Sequence, residues 1–325
     1  MNSKNIFSIK NNKDFIKTTL QIFRFQHENN SVYRKFCDFL KVEVNQVKKI
    51  ERIPFLPVRF FKSERILSVQ NPIEVIFTSS GTTAETTSSH LVTDISMYQQ
   101  SYIKAFTTFY GDIENYVILA LLPSYLEREG SSLVYMVNDL IQKSNHPESG
   151  FYLYNCDNLS KKLVKLDRSG QKIILIGVSY ALLDLVENKK FNLKNTIVME
   201  TGGMKGKRKE IVREELHHIL QQGFGVDFIH SEYGMTELLS QAYSFGKGIF
   251  QCPNWMQVFI RNTEDEQMLI ENGKIGGINI IDLANSNSCS FIATQDLGKR
   301  YDNGNFEVLG RFDNSDIRGC NLLVM

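Results

Sequence analysis

The chain has 325 residues, enough for one large core or two domains, and its 42% hydrophobic and 22% charged residues are an ordinary globular composition. A formal net charge of +1 gives no reason to expect a nucleic-acid partner. Five scattered cysteines with no close pair argue against a disulfide framework or a zinc site, and the longest apolar runs, 116–122 and 173–178, fall far short of the ~20 residues of a membrane helix.

The first seventy residues read as helical. Ile16, Leu20 and Phe23 share one face, as do Val32, Phe36 and Leu40. The opening is polar and lacks an apolar stretch, so no secretory signal is expected and a reducing cytoplasm is the expected location. Residues 53–63, IPFLPVRFFKS, carry two prolines that exclude regular helix, which predicts an extended connector with buried rings.

From residue 73 the rhythm becomes strand, loop, helix. Residues 73–77 read as a strand. A helix is expected after Asp94, which can cap it, because Ile95, Tyr98, Tyr102, Phe106 and Phe109 recur at helical spacing. Residues 116–122, 173–178, 196–199 and 226–229 read as further strands. A helix is expected to run from the Lys205 region to about Gln222 with Ile211, Leu216 and Leu220 inward. Continuous apolar strands separated by helices imply a parallel sheet covered on both faces, with ligands at the carboxyl ends of its strands. After about residue 245 the texture changes. Short segments at 256–260, 268–270, 278–281, 291–293 and 306–309, separated by Asn, Gly and Asp, read as a β-rich subdomain. The expected division is a helical region 1–70, an α/β core 71–245 and a β-rich subdomain 246–325. The chain is ring-rich, with 22 Phe and 13 Tyr; core packing explains this first, an apolar substrate tunnel second.

Five clusters could carry chemistry. Thr78, Ser79, Ser80, Gly81, Thr82 and Thr83 form a small hydroxyl-rich loop whose backbone N–H groups and hydroxyls suit a polyphosphate. It is not a Walker loop, and Ser/Gly/Thr clusters are mostly turns. Gly202-Gly203 lets a backbone approach a flat ligand, or simply makes a tight turn. The cations after it, Lys205, Lys207, Arg208 and Lys209, form a solvated basic turn or face an anion. Tyr233, Gly234, Thr236 and Glu237 put an aromatic, a glycine, a hydroxyl and a carboxylate in close order: a ring for a base, a hydroxyl for phosphate, an oxygen ligand for Mg²⁺. Asp296, expected to end a strand, can hold ribose hydroxyls, and Arg311 can touch ribose or phosphate.

The order of these clusters resembles the adenylate-forming superfamily, the acyl-CoA synthetases and adenylation domains, over residues 73–319. The segments IPFLPVRFFKS, TGGMKGKRKE, SEYGMTELLSQAY and GRFDNSDIRGCNLLV resemble more closely the LuxE-type acyl-protein synthetases, the fatty-acid-activating component of bacterial luminescence reductase systems. That resemblance implies the large α/β domain of those enzymes, parallel sheets flanked by helices with a β-rich C-terminal subdomain. It implies ATP and Mg²⁺ as cofactors, a fatty or other carboxylic acid as substrate, and transfer from acyl-AMP to a protein thiol. It makes Thr78–Thr83 the phosphate loop, Gly202-Gly203 the adenine-side pair, Tyr233 the stacking ring, Thr236 the phosphate contact, Glu237 the metal ligand and Asp296 the ribose contact. Cys320 becomes a candidate acyl acceptor, with Arg318 favouring its thiolate; a packed cysteine is the alternative. The small C-terminal domain of most relatives, with its adenylation lysine, is expected to be missing. Lys205, Lys207 or a partner subunit is expected to supply that charge. An acyltransferase or reductase partner or a carrier protein fits the same scheme. A coenzyme A or carrier-protein ligase, and a non-catalytic acyl- or nucleotide-binding subunit, are the rival readings.

Overall fold

The computed structural model describes residues 3–79, 87–123, 130–152, 155–204, 207–209, 211–265 and 267–311. The chain packs as two units, one of residues 1–101, 236–240 and 251–325, the other of 102–235 and 241–250.

In the first unit, α1 (Asn12–Asn29) and α2 (Ser31–Phe39) meet at Asn30. Its N–H closes α1 on the Gln26 carbonyl at 2.8 Å, and its side chain caps α2 by accepting from the Tyr33 N–H at 3.0 Å. Phe23 is buried as expected, but the rest of the buried stripes sit one position away from the apolar residues expected. Phe15, Thr19, Ile22, Phe23 and Gln26 are buried on α1, and Tyr33 and Cys37 on α2. Gln26 accounts for the offset. Its amide donates to the Asn285 and Ser286 carbonyls at 2.9 and 3.0 Å and accepts from the Ser290 N–H at 2.9 Å, so a polar residue holds an inward position.

The proline-containing connector forms β1 (Leu56–Pro57) and one turn of helix, α3 (Phe60–Ser63), with Phe55 and Phe61 buried as expected. Segment 73–77 departs from expectation: β2 (Val75–Thr78) pairs antiparallel with β3 (Ser89–Val92) in a separate two-stranded sheet and joins no parallel sheet. The strands β11 (Met256–Arg261), β12 (Ile275–Asp282), β13 (Phe291–Arg300) and β14 (Phe306–Arg311) of this unit pair antiparallel in that order, and β1 lies parallel to β13. Residues 268–270 make only a single bridge, Leu269 to Arg261. Strand β13 runs on past Asp296, which therefore lies within the strand and not at its end. A Cβ at Gly298 would come within 2.4 Å of the Glu307 carbonyl, so glycine permits the close approach beside the irregularity in the β13–β14 register.

The second unit holds the expected parallel sheet. Its strands are β4 (Val117–Leu121), β5 (Gly150–Phe151), β6 (Ile173–Val178), β7 (Thr196–Thr201) and β8 (His230–Tyr233), in the order β8-β7-β6-β4-β5. β9 (Ala242–Ser244) lies antiparallel to β8, followed by β10 (Ile249–Gln251). Every residue of β4 and β6 is buried, the signature of a strand covered on both faces. The helices are α5 (Ser132–Lys143), α6 (Cys156–Arg168), α7 (Ser179–Asn188) and α8 (Arg213–Phe224), while α4 (Ile95–Tyr110) has residues in both units. Asp94 caps α4 by accepting from the Ser96 N–H at 3.0 Å, as expected. Leu216 and Leu220 face inward on α8, but Ile211 precedes that helix. Among the described residues no helix is long and apolar enough to cross a membrane.

Residues 226–229 are not a strand; the strand is the next four residues. Gly225, at φ 67°, ends α8 in the left-handed conformation, and the N–H groups of Gly225 and Val226 both return to the Gln221 carbonyl. The Gln221 side chain then donates to the Asp227 carbonyl at 2.6 Å. The backbone of 225–227 is thus used in closing a helix and has little left for a ladder.

Candidate functional site

The candidate residues that the structure describes fall into two groups, one in each unit. In the first unit, Glu237 lies on an irregular segment with its side chain buried at 5% exposure. Burial raises its pKa above the ordinary value. The Ser88 hydroxyl, its own N–H and Arg311 oppose that rise, and Asp296 adds to it. Glu237, Ser88, Asp296 and Arg311 therefore share one electrostatic neighbourhood, which sequence spacing could not place together. Thr236 is half-buried beside it. Ser79 donates its N–H to the Ser88 carbonyl at 3.1 Å and accepts the Ser88 N–H on its hydroxyl at 2.9 Å, while Thr78 stands opposite Ser89 in the hairpin.

Asp296 is 7% exposed, and its Oδ1 lies 3.3 Å from Nε of Arg311, its register partner on β14. Thr294 orients this turn of strand, accepting the Asp296 N–H at 3.1 Å and donating to the Ile278 carbonyl at 2.9 Å. The chemistry of the donor set, two carboxylates and a hydroxyl, fits a hard cation such as Mg²⁺, which takes one or two carboxylates and completes its shell with water and phosphate. Among the described residues no three His, Cys, Asp or Glu side chains converge as a closed metal cage.

In the second unit, Tyr233 is the last residue of β8. It is 9% exposed, with its ring centroid 5.8 Å from that of Phe250. Gly234 follows it, exposed. Gly202 and Gly203, directly after β7, sit at φ 75° and 99°, the left-handed region that favours glycine. Two buried carboxylates lie next to these motifs and were not singled out from the sequence. Glu200 on β7 pairs with Arg213, accepts from the Ser179 hydroxyl at 3.2 Å and lies 3.5 Å from His217 Nε2. Burial alone would raise its pKa, but Arg213 and then His217 and Ser231 outweigh it and bring it down to about 2. Glu232 on β8 accepts the Thr201 hydroxyl at 2.6 Å. Burial and the charge of Glu200 push its pKa up to about 7 against the Thr201 bond. The signal for both was a charged residue inside or beside a strand pattern, at 200 and 232. Arg208, by contrast, is engaged by Asp184 and Glu187.

Ser80, Gly81, Thr82, Thr83, Lys205 and Cys320 lie outside the described residues.

The family model described as "Acyl-protein synthetase, LuxE" matches residues 5–119 and 132–325. Two curated relatives are both named long-chain-fatty-acid–luciferin-component ligase. That of Aliivibrio fischeri is 22% identical over 94% of this chain and 86% of its own length. That of Photorhabdus luminescens is 42% identical over 67 residues, 20% of this chain and 57% of the relative. Among solved structures, a 2-hydroxyisobutyryl-CoA ligase in complex with 2-HIB-AMP and CoA superposes with a TM-score of 0.68 at 14% identity, over 96% of this chain and 71% of that one. The chain spans about half the length of several other solved chains that it matches.

Proposed function

The chain belongs to the LuxE family of acyl-protein synthetases, and on that premise we propose that it activates a long-chain fatty acid with ATP and passes the acyl group to a protein thiol. The observation that carries this reading is the buried Glu237 carboxylate, on the segment that resembles the superfamily's phosphate and metal motif and grouped with Ser88, Asp296 and Arg311 from elsewhere in the unit. A carboxylate is costly to bury without a charge to meet, and a nucleotide-borne cation is such a charge.

In the first step the fatty carboxylate attacks the α-phosphorus of ATP. One P–O bond forms, the bond to the β-phosphate breaks, and pyrophosphate leaves. Glu237 would hold Mg²⁺, with Asp296 in the same neighbourhood; when bound, the ion neutralises triphosphate charge. Thr236 would hydrogen-bond phosphate and Arg311 would offer its exposed guanidinium to phosphate or ribose. Tyr233 and the Gly202-Gly203 turn would take the base. The loop 78–83 would hold the departing pyrophosphate. The contribution of these groups is positioning and charge stabilisation. In the second step a thiolate attacks the acyl carbon and AMP leaves. We assign the acceptor to Cys320, and the charge of the adenylation step to Lys205. A free thiol suits a reducing, cytoplasmic compartment.

Mass spectrometry after incubation with ATP, Mg²⁺ and a long-chain fatty acid tests the reading. The expected products are fatty acyl-AMP and a protein heavier by one acyl group, lost in Cys320→Ser. Acyl-AMP with an unchanged protein mass would remove self-acylation. Neither product would remove the ligase reading.

A further inference from the structure

The segment 236–240 has neither helix nor strand to hold it, yet it carries Thr236 and Glu237. Its backbone is held instead by three side chains, each 1% exposed or less, from elsewhere in the first unit. His90 on β3 bonds the Thr236 carbonyl through Nδ1 at 2.9 Å. Asn285 donates its side-chain amide to the Glu237 carbonyl at 2.7 Å. Asp282, the last residue of β12, accepts the Leu239 and Ser240 N–H groups on Oδ2 at 2.8 and 3.0 Å and the Ser240 hydroxyl on Oδ1 at 2.6 Å.

Each holder is itself held. The His90 ring stands edge-on to Phe61, with centroids 5.8 Å apart. Burial keeps it neutral at pH 7, with a pKa lowered to about 4. A neutral imidazole has one N–H, and a carbonyl can only accept, so that N–H is on Nδ1. Asp282 also accepts the Ala284 N–H at 3.1 Å, capping the turn Leu283–Asn287 that presents Asn285. Trp255 Nε1 donates to the Ser240 hydroxyl at 3.0 Å.

We infer that His90, Asp282 and Asn285 are positioning residues for nucleotide binding: a three-point clamp that fixes the backbone on both sides of Glu237, so that the Thr236 hydroxyl and the Glu237 carboxylate meet Mg·ATP already oriented. The inference rests on the proposed nucleotide-binding role of those two residues. Four backbone groups in a run of five are committed to side chains. Burying three polar side chains to do this is warranted where local precision matters more than economy of the core. None of the three touches the nucleotide in this scheme; they act through Thr236 and Glu237.

Calorimetric titration of the full chain with ATP, in Mg²⁺ and in EDTA, tests the clamp when paired with hydrogen exchange of residues 236–240 without ligand. His90→Leu and Asn285→Leu each remove one donor and are expected to weaken Mg·ATP binding about tenfold, the effect of one lost buried hydrogen bond, with a smaller loss in EDTA, where only the Thr236 contact to phosphate is left to lose. Exchange across 236–240 should rise in both. His90→Asn, whose amide nitrogen can take the place of Nδ1, should stay within about twofold of the parent affinity. Wild-type affinity in both leucine variants, equal losses in Mg²⁺ and EDTA, or a His90→Asn protein as weak as His90→Leu would each overturn the clamp alone. A parent chain whose ATP affinity gains nothing from Mg²⁺ would overturn the nucleotide reading beneath it.

Discussion

Asp296 and Arg311 face each other across β13 and β14 with unequal exposure: the Asp296 side chain is 11% exposed and the Arg311 side chain 75%. At 3.3 Å the pair is an ion pair in form. The cation nevertheless stands in water, where screening and side-chain entropy leave such pairs worth about 0–1 kcal/mol. Arg311 is thus better placed to meet an incoming anion than to stabilise the fold. Arg311→Ala should change the unfolding free energy by less than about 1 kcal/mol while weakening ATP binding. Denaturant unfolding and ATP titration check the two halves separately, and a large stability loss with unchanged ATP binding would reverse the assignment.

Glu200 presents the opposite case, because its side chain is 6% exposed and its partner Arg213 is 30% exposed. Arg213→Met would leave a buried carboxylate without its main compensating charge, a change that typically costs about 3 kcal/mol or more. The pH dependence follows from the depressed pKa, about 2 against an ordinary 4.5. Between those values the unfolded chain binds more protons than the folded one. The stabilisation is therefore complete above about 4.5 and is lost as pH falls toward 2. Thermal melts of the parent and Arg213→Met should differ most near neutrality and converge in acid. A difference that does not vary with pH would assign the effect to packing.

Glu232 titrates with the reverse sign. Its folded pKa of about 7 lies above the ordinary 4.5, so the folded chain binds more protons across that window and stability falls as pH rises through it. Glu232→Gln keeps an acceptor for the Thr201 hydroxyl and never ionises. It should gain on the parent between pH 5 and pH 8, by up to about 3 kcal/mol. Melting curves at the two pH values read this directly, and a constant offset would show that Glu232 is ionised throughout.

Where the chain obeys one-dimensional patterning, its sequence was a sufficient guide. Helix α4 follows from five apolar or aromatic residues at helical spacing behind Asp94, and β6 coincides with an unbroken apolar run because both of its faces are buried. Polar residues at inward positions escape such patterning. Strand β8 is His-Ser-Glu-Tyr, and its burial depends on partners such as Thr201 for Glu232, which no hydropathy pattern contains. The same holds for Thr19 and Gln26 on α1. Of the candidate site, the residue types at 233, 236, 237 and 296 were legible as chemistry. The grouping of Ser88 and Asp296 around Glu237 was not, since it depends on long-range packing that brings residues 88, 237 and 296 together.

Glu237 decides the account. Because burial raises its pKa, the folded chain pays to keep it ionised, and Glu237→Gln should fold at least as stably as the parent. Equilibrium unfolding near pH 8, where the charge is most fully expressed, is the check. A clear loss of stability would mean that the carboxylate holds the fold together and serves no ligand.

The most direct measurement is fatty-acid-dependent exchange of labelled pyrophosphate into ATP by the parent chain and by Glu237→Gln, side by side, with Mg²⁺. Exchange that requires a long-chain acid in the parent and falls by about a thousandfold in the variant, the scale on which loss of a main transition-state charge contact acts, is the expected result. Equal exchange in both, or none in a parent that binds ATP and acid, would contradict adenylation at this carboxylate.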